Sequence, residues 1–302
     1  MAVSPADPDP LGASLVADLL SRSAFPPGTG PLDCGVSGGP DALALLVLAA
    51  AAGHPVTAWY VDHGLRPGAS AEAQVVADAA SRFGAEFQAV PAPVEHGPNL
   101  EARARRARDA ALPSGVLVGH TMDDQAETML LNLLRGAGPA GMAGIRSDGR
   151  RPLLGLRRAE TRALCAELGL EPVDDPSNRD RRFRRNRVRH ELLGILSDIA
   201  ERDIVPVLAR QAGLFAAEDD LLTDLAAGID PTDARAVAAA AEPLARRALR
   251  RWITADTGCD HPPDAATVDR ALAVARGEHR ATDVGRGWRL ARTAGRLRLE
   301  PG

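Results

Sequence analysis

The chain has 302 residues, enough for one large or two medium domains, and 45% of them are hydrophobic, enough to build a substantial core. A net charge of −4 excludes a uniformly basic nucleic-acid binder, and 3% aromatic residues exclude base stacking as the dominant mode of binding. All 36 basic residues are arginine, so a Walker lysine is excluded as well.

Residues 1–9 read as a disordered tail. Leu11 to Leu20 has the apolar spacing of a helix, and a Pro/Gly loop from Phe25 to Pro31 leads to a first strand. That strand ends at Cys34-Gly35-Val36, followed by Ser37-Gly38-Gly39-Pro40-Asp41-Ala42 and an apolar helix, Leu43 to Ala50. Pro55 to Val61 reads as a second strand with Asp62-His63-Gly64-Leu65-Arg66 at its carboxyl end. A helix from Ala69 to Phe83, a strand from Glu86 to Val90 and an arginine-rich helix from Asn99 to Leu112 come next. Gly115 to Gly119 is a fourth strand and Thr121 to Arg135 a helix. Strands alternating with helices in this way predict an α/β fold with a doubly wound parallel sheet, whose ligands bind at the carboxyl ends of the strands. Arg151 to Leu154 reads as a further short strand, Ala159 to Leu168 as a helix and Val173 to Asn178 as a turn. From about Val188 to Arg276 the pattern is helical, with breaks near Gly228 and Gly258 to Pro263, and Thr282 to Leu299 alternates like small strands. A domain boundary is expected near residue 195, giving a catalytic domain at 10–195 and a smaller, mainly helical domain at 196–302.

A strand, a small-residue turn and a helix form an arrangement that binds phosphate. Glycines let the backbone approach an anion, and the free amides of the first helical turn point at it. Ser37 adds a hydroxyl, and Pro40 suits a first turn where no amide partner is lost. Neither Gly-Lys-Ser/Thr nor Gly-x-Gly-x-x-Gly is present, and a tight turn without a ligand is the alternative reading.

His120-Thr121-Met122-Asp123-Asp124-Gln125-Ala126-Glu127-Thr128 opens a helix. A capping box and the helix dipole account for Asp123 and Asp124. They do not account for His120, nor for Asp124 and Glu127 lying three apart on one face. Carboxylates beside a triphosphate require a cation, so Asp41 and Asp124 are candidate Mg²⁺ ligands. Glu101, Arg105 and Arg108 share a helical face that is either solvated or a phosphate clamp. Arg179 to Arg189 holds seven arginines and one aspartate, and is either a solvated loop or a contact for a nucleic-acid backbone through Arg182, Arg184, Arg185 and Arg189. His63 is either a polar rim residue or a contact to a base. Cys34, Cys165 and Cys259 form no C-x-x-C pair, which excludes a cysteine zinc knuckle or a disulfide framework. No signal peptide or membrane span is legible, and a cytoplasmic location is expected.

Five stretches taken together resemble the tRNA(Ile)-lysidine synthetase family of the N-type ATP pyrophosphatase superfamily. They are Val36 to Ala42, Val61 to Arg66, Asn99 to Arg105, Gly119 to Thr128, and Asp175-Pro176-Ser177-Asn178 leading to Arg185-Asn186-Arg187-Val188-Arg189. The resemblance implies an adenine nucleotide alpha hydrolase-like fold with a tRNA-binding C-terminal domain, and a two-step ligation. ATP, with Mg²⁺, activates C2 of the wobble cytidine of an isoleucine tRNA with a CAU anticodon. Free lysine then displaces AMP to form lysidine. In that scheme Ser37, Gly38, Gly39, Pro40, Asp41 and Ala42 bind ATP with Asp62 and His63, while Asp41, His120, Asp124, Glu127 and Arg105 are catalytic. A homodimer is compatible with it. The chain departs from the family at Ala42, where serine is usual, and in the short stretch after residue 195. A tRNA thiolation enzyme, a small-molecule amide-forming synthetase and a non-catalytic tRNA-binding protein are the rival readings.

Overall fold

A computed structural model describes residues 14–64, 69–95, 97, 100–258 and 262–302. The tail at 1–9, Leu65 and Arg66, Asn99, Cys259 and the side chain of Glu101 lie outside the described residues. Two compact units divide the chain, Met1–Gly213 and Leu214–Gly302.

The first unit opens with α1 (Ser14–Ser21) and continues as β1 (Leu32–Gly35), α2 (Pro40–Ala51), β2 (Val56–Asp62), α3 (Ala69–Arg82), β3 (Glu86–Pro91), α4 (Leu100–Ala111), β4 (Leu117–Val118) and α5 (Met122–Leu133). The four strands form a sheet in the order β3-β2-β1-β4 with every pairing parallel. Parallel neighbours need a crossover, and here each crossover contains a helix. The chain reverses direction across the sheet between β1 and β4, so the carboxyl ends of β1, β2 and β4 share one rim.

Helix α2 has eight consecutive buried residues, Ala42 to Ala49, which is why its sequence shows no polar face. It packs against α1 and against α7 (Arg158–Glu167), and its leucines join Cys34, Ala58, Leu153 and Leu164 in the main core. Between α5 and α7 lies the short helix α6 (Pro139–Met142). Arg151 to Leu154, expected as a strand, is a turn. Pro152 has no N–H for a ladder, its carbonyl accepts from Ala24 N at 2.9 Å, and Leu153 and Leu156 are fully buried. The apolar run there reflects a buried turn, and just before it Val118 N of β4 donates to Arg150 O at 2.9 Å.

Downstream come a 3₁₀ turn (Pro176–Arg179), α8 (Arg184–Arg187), a π turn (Val188–Leu192) and α9 (Leu193–Ile199). Val188 and Leu193 pack with Ala126 and Leu130 of α5 in a separate small core. Helix α10 (Val205–Ala227) runs through Gly213, so the first unit extends past the boundary expected near residue 195.

The second unit holds α11 (Ala234–Ala239), α12 (Glu242–Thr257) and α13 (Ala265–Arg276), then an antiparallel sheet of β5 (Ala281–Gly285), β6 (Trp288–Thr293) and β7 (Arg296–Pro301). Leu290 opposes Leu299 in the β6–β7 ladder. The buried face of that sheet, including Leu290 and Leu297, joins Leu249 and Ile253 of α12 in a core of its own. The two-residue alternation of Thr282 to Leu299 is the ordinary signature of a sheet buried on one face.

Candidate active site

The phosphate turn is held by close backbone packing. Val36 N donates to Trp59 O at 2.8 Å, carrying β1 straight into the turn. Gly38 has a positive φ of 80°, and a Cβ there would lie 2.8 Å from Val173, whose N–H donates to Gly38 O at 3.0 Å. Gly119 at the end of β4 passes so close to the start of α2 that a Cβ would meet Asp41 O at 2.5 Å. No larger residue fits between the sheet and the first turn of α2.

Above this turn is an open cleft of about 480 Å³. Ser37, Gly39, Pro40, Asp41 and Ala42 line it at the phosphate turn, Asp62 and His63 at the end of β2, and His120 and Asp124 after β4. The three polar clusters that are distant in sequence therefore meet at one rim. Gly38 supplies the bend without lining the cleft, and Glu127 is fully buried behind it.

Asp124 divides its two oxygens between two tasks. Oδ2 accepts from Thr121 N at 2.9 Å and so caps α5. Oδ1 accepts from Arg158 at 2.9 Å and from Arg185 at 3.2 Å. The capping reading of this residue holds, and the same side chain also lines the cleft. Asp123 is purely structural in its bonds, accepting from Arg158 N at 2.9 Å and from Arg157 Nε at 3.0 Å, which fastens the start of α7 to α5.

Arg158 is the residue on which the carboxylates converge. Its guanidinium donates to Glu127 at 2.8 Å, to Asp124 at 2.9 Å and to Asp41 at 3.3 Å. Thr161, one turn further along α7, donates its hydroxyl to the other oxygen of Asp41. Arg185 and Arg189 complete the network by donating to Glu127 at 2.8 and 2.7 Å. Three guanidiniums thus face three carboxylates in a largely buried network, where ion pairs are strong and their desolvation is costly.

The ionisation states follow from this arrangement. Burial alone would raise Asp124, but Arg158 and Arg185 outweigh it and hold the carboxyl below its usual range. Burial is likewise the largest influence on Glu127, yet the Arg189 bond and the charge of Arg158 keep it low. Asp41 goes the other way: burial raises it, and Thr161 and Arg158 only partly offset that rise. Burial drives His120 down to about 4, with Arg151, Arg185 and Arg105 adding to the effect, so the ring is neutral at pH 7. Its Nδ1 is buried without a hydrogen-bond partner among the described residues.

The arginine run splits by direction. Arg185 and Arg189 turn inward to Glu127, whereas Arg182 and Arg184 are exposed, with Arg182 clasping Asp180 at 2.7 Å. Arg105 faces other cations; enclosure by protein and the charge of Arg108 lower its pKa, even though the side chain remains open to solvent. Arg108, its helical neighbour, lines the cleft. Cys34 and Cys165 are buried, and burial pushes both thiols up to about 12.

A PP-loop domain model matches residues 21–196, more than half the chain and the whole of the cleft just described. The tRNA(Ile)-lysidine synthase of Mycolicibacterium paratuberculosis is 44% identical over 235 residues, covering 73% of each chain. That of Nocardia farcinica is 42% identical over 296 residues, covering 90% of this chain and 93% of its own. The chain belongs to the tRNA(Ile)-lysidine synthase family. Among solved structures, a U34-tRNA thiolase, NcsA from Methanococcus maripaludis with its 4Fe–4S cluster, aligns with a TM-score of 0.52 at 13% identity, over 67% of this chain and 80% of its own. That likeness establishes the shared fold alone.

Arg158 and Thr161 are the members of this synthase-family site that sequence reasoning missed. Arg158 stands beside Arg157 in a chain rich in arginine, so its identity was no signal, and its partners lie 31 to 117 positions away. A clue was present in the same stretch: Arg157 and Glu160 mark a helix start, since Arg157 N donates to Glu160 at 2.7 Å, and that start aims at the cleft. Glu72, Asp175 and Asn178 also line the cleft and were not expected there.

Proposed function

We propose that this chain ligates free lysine to the wobble cytidine of an isoleucine tRNA with a CAU anticodon, at the expense of ATP. The observation that carries the proposal is the meeting of the phosphate turn, His120 and Asp124 in one cleft, within a chain of this family. In the first step the cytidine O2 attacks the α-phosphorus of ATP and pyrophosphate leaves. In the second, the ε-amine of lysine attacks C2, the C2–O2 bond breaks, and AMP departs with that oxygen while the amine loses its protons to solvent.

Ser37 and the amides at the start of α2 would hold the pyrophosphate end of ATP. Arg105 and Arg108, which have neighbouring cations, suit the charge of an adenylated cytidine. Neutral His120, with Nδ1 unengaged, is placed to bond the base or its departing oxygen. Asp124, held ionised where it lines the cleft, would attract the cationic side chain of lysine. Most of the acceleration would come from positioning and fixed charge.

The donor set fits Mg²⁺. This ion takes one or two carboxylates, with substrate phosphates and water completing its shell, and Asp41 and Asp124 both line the cleft beside the phosphate turn. When bound, Mg²⁺ would neutralise the departing pyrophosphate. Arg158 bridges the two carboxylates, so an incoming ion would displace its guanidinium from them.

Among the described residues the two thiols, Cys34 and Cys165, are buried and pushed above the range of a reactive thiolate, which counts against the thiolation reading. Incubating the protein with ATP, Mg²⁺, labelled lysine and bulk tRNA tests the proposal directly. Label entering tRNA with release of pyrophosphate is the expected result, and Asp41→Asn should abolish it while tRNA binding persists. Binding of tRNA without transfer by the wild type would favour the binding-protein reading instead.

A further inference from the structure

The helix that turns Arg185 and Arg189 toward the carboxylates has a second face. Arg185 and Arg189 are four apart and point inward across the π turn. Arg184 and Arg187 point outward to a separate groove of about 430 Å³. Leu134, Val188, Leu192 and Ile195 line it between them. Leu134 is 68% and Ile195 56% exposed, a large apolar area for a free surface.

The rim is cationic. Arg184 is exposed and has no acidic partner among the described residues. Arg187 reaches only Glu191, at 3.4 Å, and Glu191 is already bound by Arg181 at 2.9 Å. Two arginines therefore share one glutamate, and Arg184 adds a further positive charge at the same rim. An apolar floor with an arginine rim matches an unpaired nucleotide, which offers a flat base and a phosphate together.

The groove is also within reach of the reacting base. Leu134 is seven residues beyond Glu127 along α5 and its cap, about 10 Å at the rise of an α-helix. We infer that this groove docks the anticodon-loop nucleotide next to the wobble cytidine, so that one arginine helix serves the reaction on its inner face and holds the RNA on its outer face. The inference rests on the tRNA reading of the active site.

Photo-crosslinking from a tRNA with 4-thiouridine beside the wobble position tests it, together with tRNA binding by Ile195→Glu, Leu134→Glu and the Arg184→Ala/Arg187→Ala pair. Both glutamate variants replace exposed side chains, and thermal melts check that they fold. Crosslinks are expected within residues 130–136 or 184–199. The tRNA Kd should rise at least about tenfold in each glutamate variant, since a carboxylate replaces an apolar contact beside RNA phosphate. The arginine pair should reduce the salt slope by about 1.4, at roughly 0.7 per single-stranded phosphate. Crosslinks confined to other segments, or wild-type affinity in both folded glutamate variants, would overturn the inference. So would a wild-type dimer, seen by sedimentation, that Ile195→Glu dissociates with tRNA affinity unchanged. If the wild type binds tRNA yet transfers no lysine, the active-site reading fails, and the crosslinks still decide the groove.

Discussion

At the scale of single residues, His120 shows how the cleft sets chemistry through environment. An ordinary histidine titrates near 6.5, whereas this one is held down to about 4 by burial and by surrounding arginines. Between those values the unfolded chain takes up a proton that the folded chain refuses. Stability therefore falls as pH drops from 6.5 toward 4, by at most about 1.4 kcal/mol per pH unit from this group. His120→Asn should flatten that part of the profile, as measured by urea unfolding between pH 4.5 and 7. Ala42 is the other informative residue. It lines the cleft in the first turn of α2, so Ala42→Ser adds a hydroxyl where the phosphates are expected. One new hydrogen bond is worth about 1 kcal/mol, so the KM for ATP should fall several-fold with kcat little changed. An unchanged KM would move the phosphates away from this turn.

At the scale of elements, α5, α7 and α8 are joined through charge, with Arg158 and Arg185 crossing between them. Arg185→Ala removes one of three guanidiniums on Glu127 and leaves Arg158 and Arg189 in place, so it should cost about 1.5–3 kcal/mol, the worth of a charged hydrogen bond, and lower lysine transfer. Arg182→Ala, on the solvent side and paired with Asp180, should leave the urea midpoint at the wild-type value. Urea midpoints for the two variants distinguish an inward arginine from an outward one. The run of arginines between 179 and 189 was legible in the sequence as a unit. Its division into an inward and an outward face was not, because the inward face is chosen by contacts with Glu127, 58 and 62 positions away in the chain.

At the scale of the whole molecule, two units each have their own core. Leu249 is fully buried among Ile253, Leu272 and Leu290 in the second of them. Leu249→Ala should cost that unit about 2–5 kcal/mol through lost contacts and a cavity. Calorimetry would show this as a lowered unfolding transition, and an unshifted thermogram would mean that the site collapses to fill the space. The same scale explains a misreading: Arg151 to Leu154 has the apolar character of a strand because the main core buries it, although no strand pairs with it.

The amino-acid sequence by itself determined the order of strands and helices, the phosphate turn and the three clusters at the rim. Each of these depends on local rules: two-residue or helical periodicity, glycine where the backbone must bend, and a capping residue at a helix start. Only the tertiary structure decided that Arg158 bridges Asp41, Asp124 and Glu127, that Thr161 engages Asp41, and that Arg185 and Arg189 face inward. Those contacts join residues 31 to 120 positions apart. In a chain whose every cation is arginine, residue type cannot say which one is buried against which carboxylate; packing of α5, α7 and α8 makes that choice.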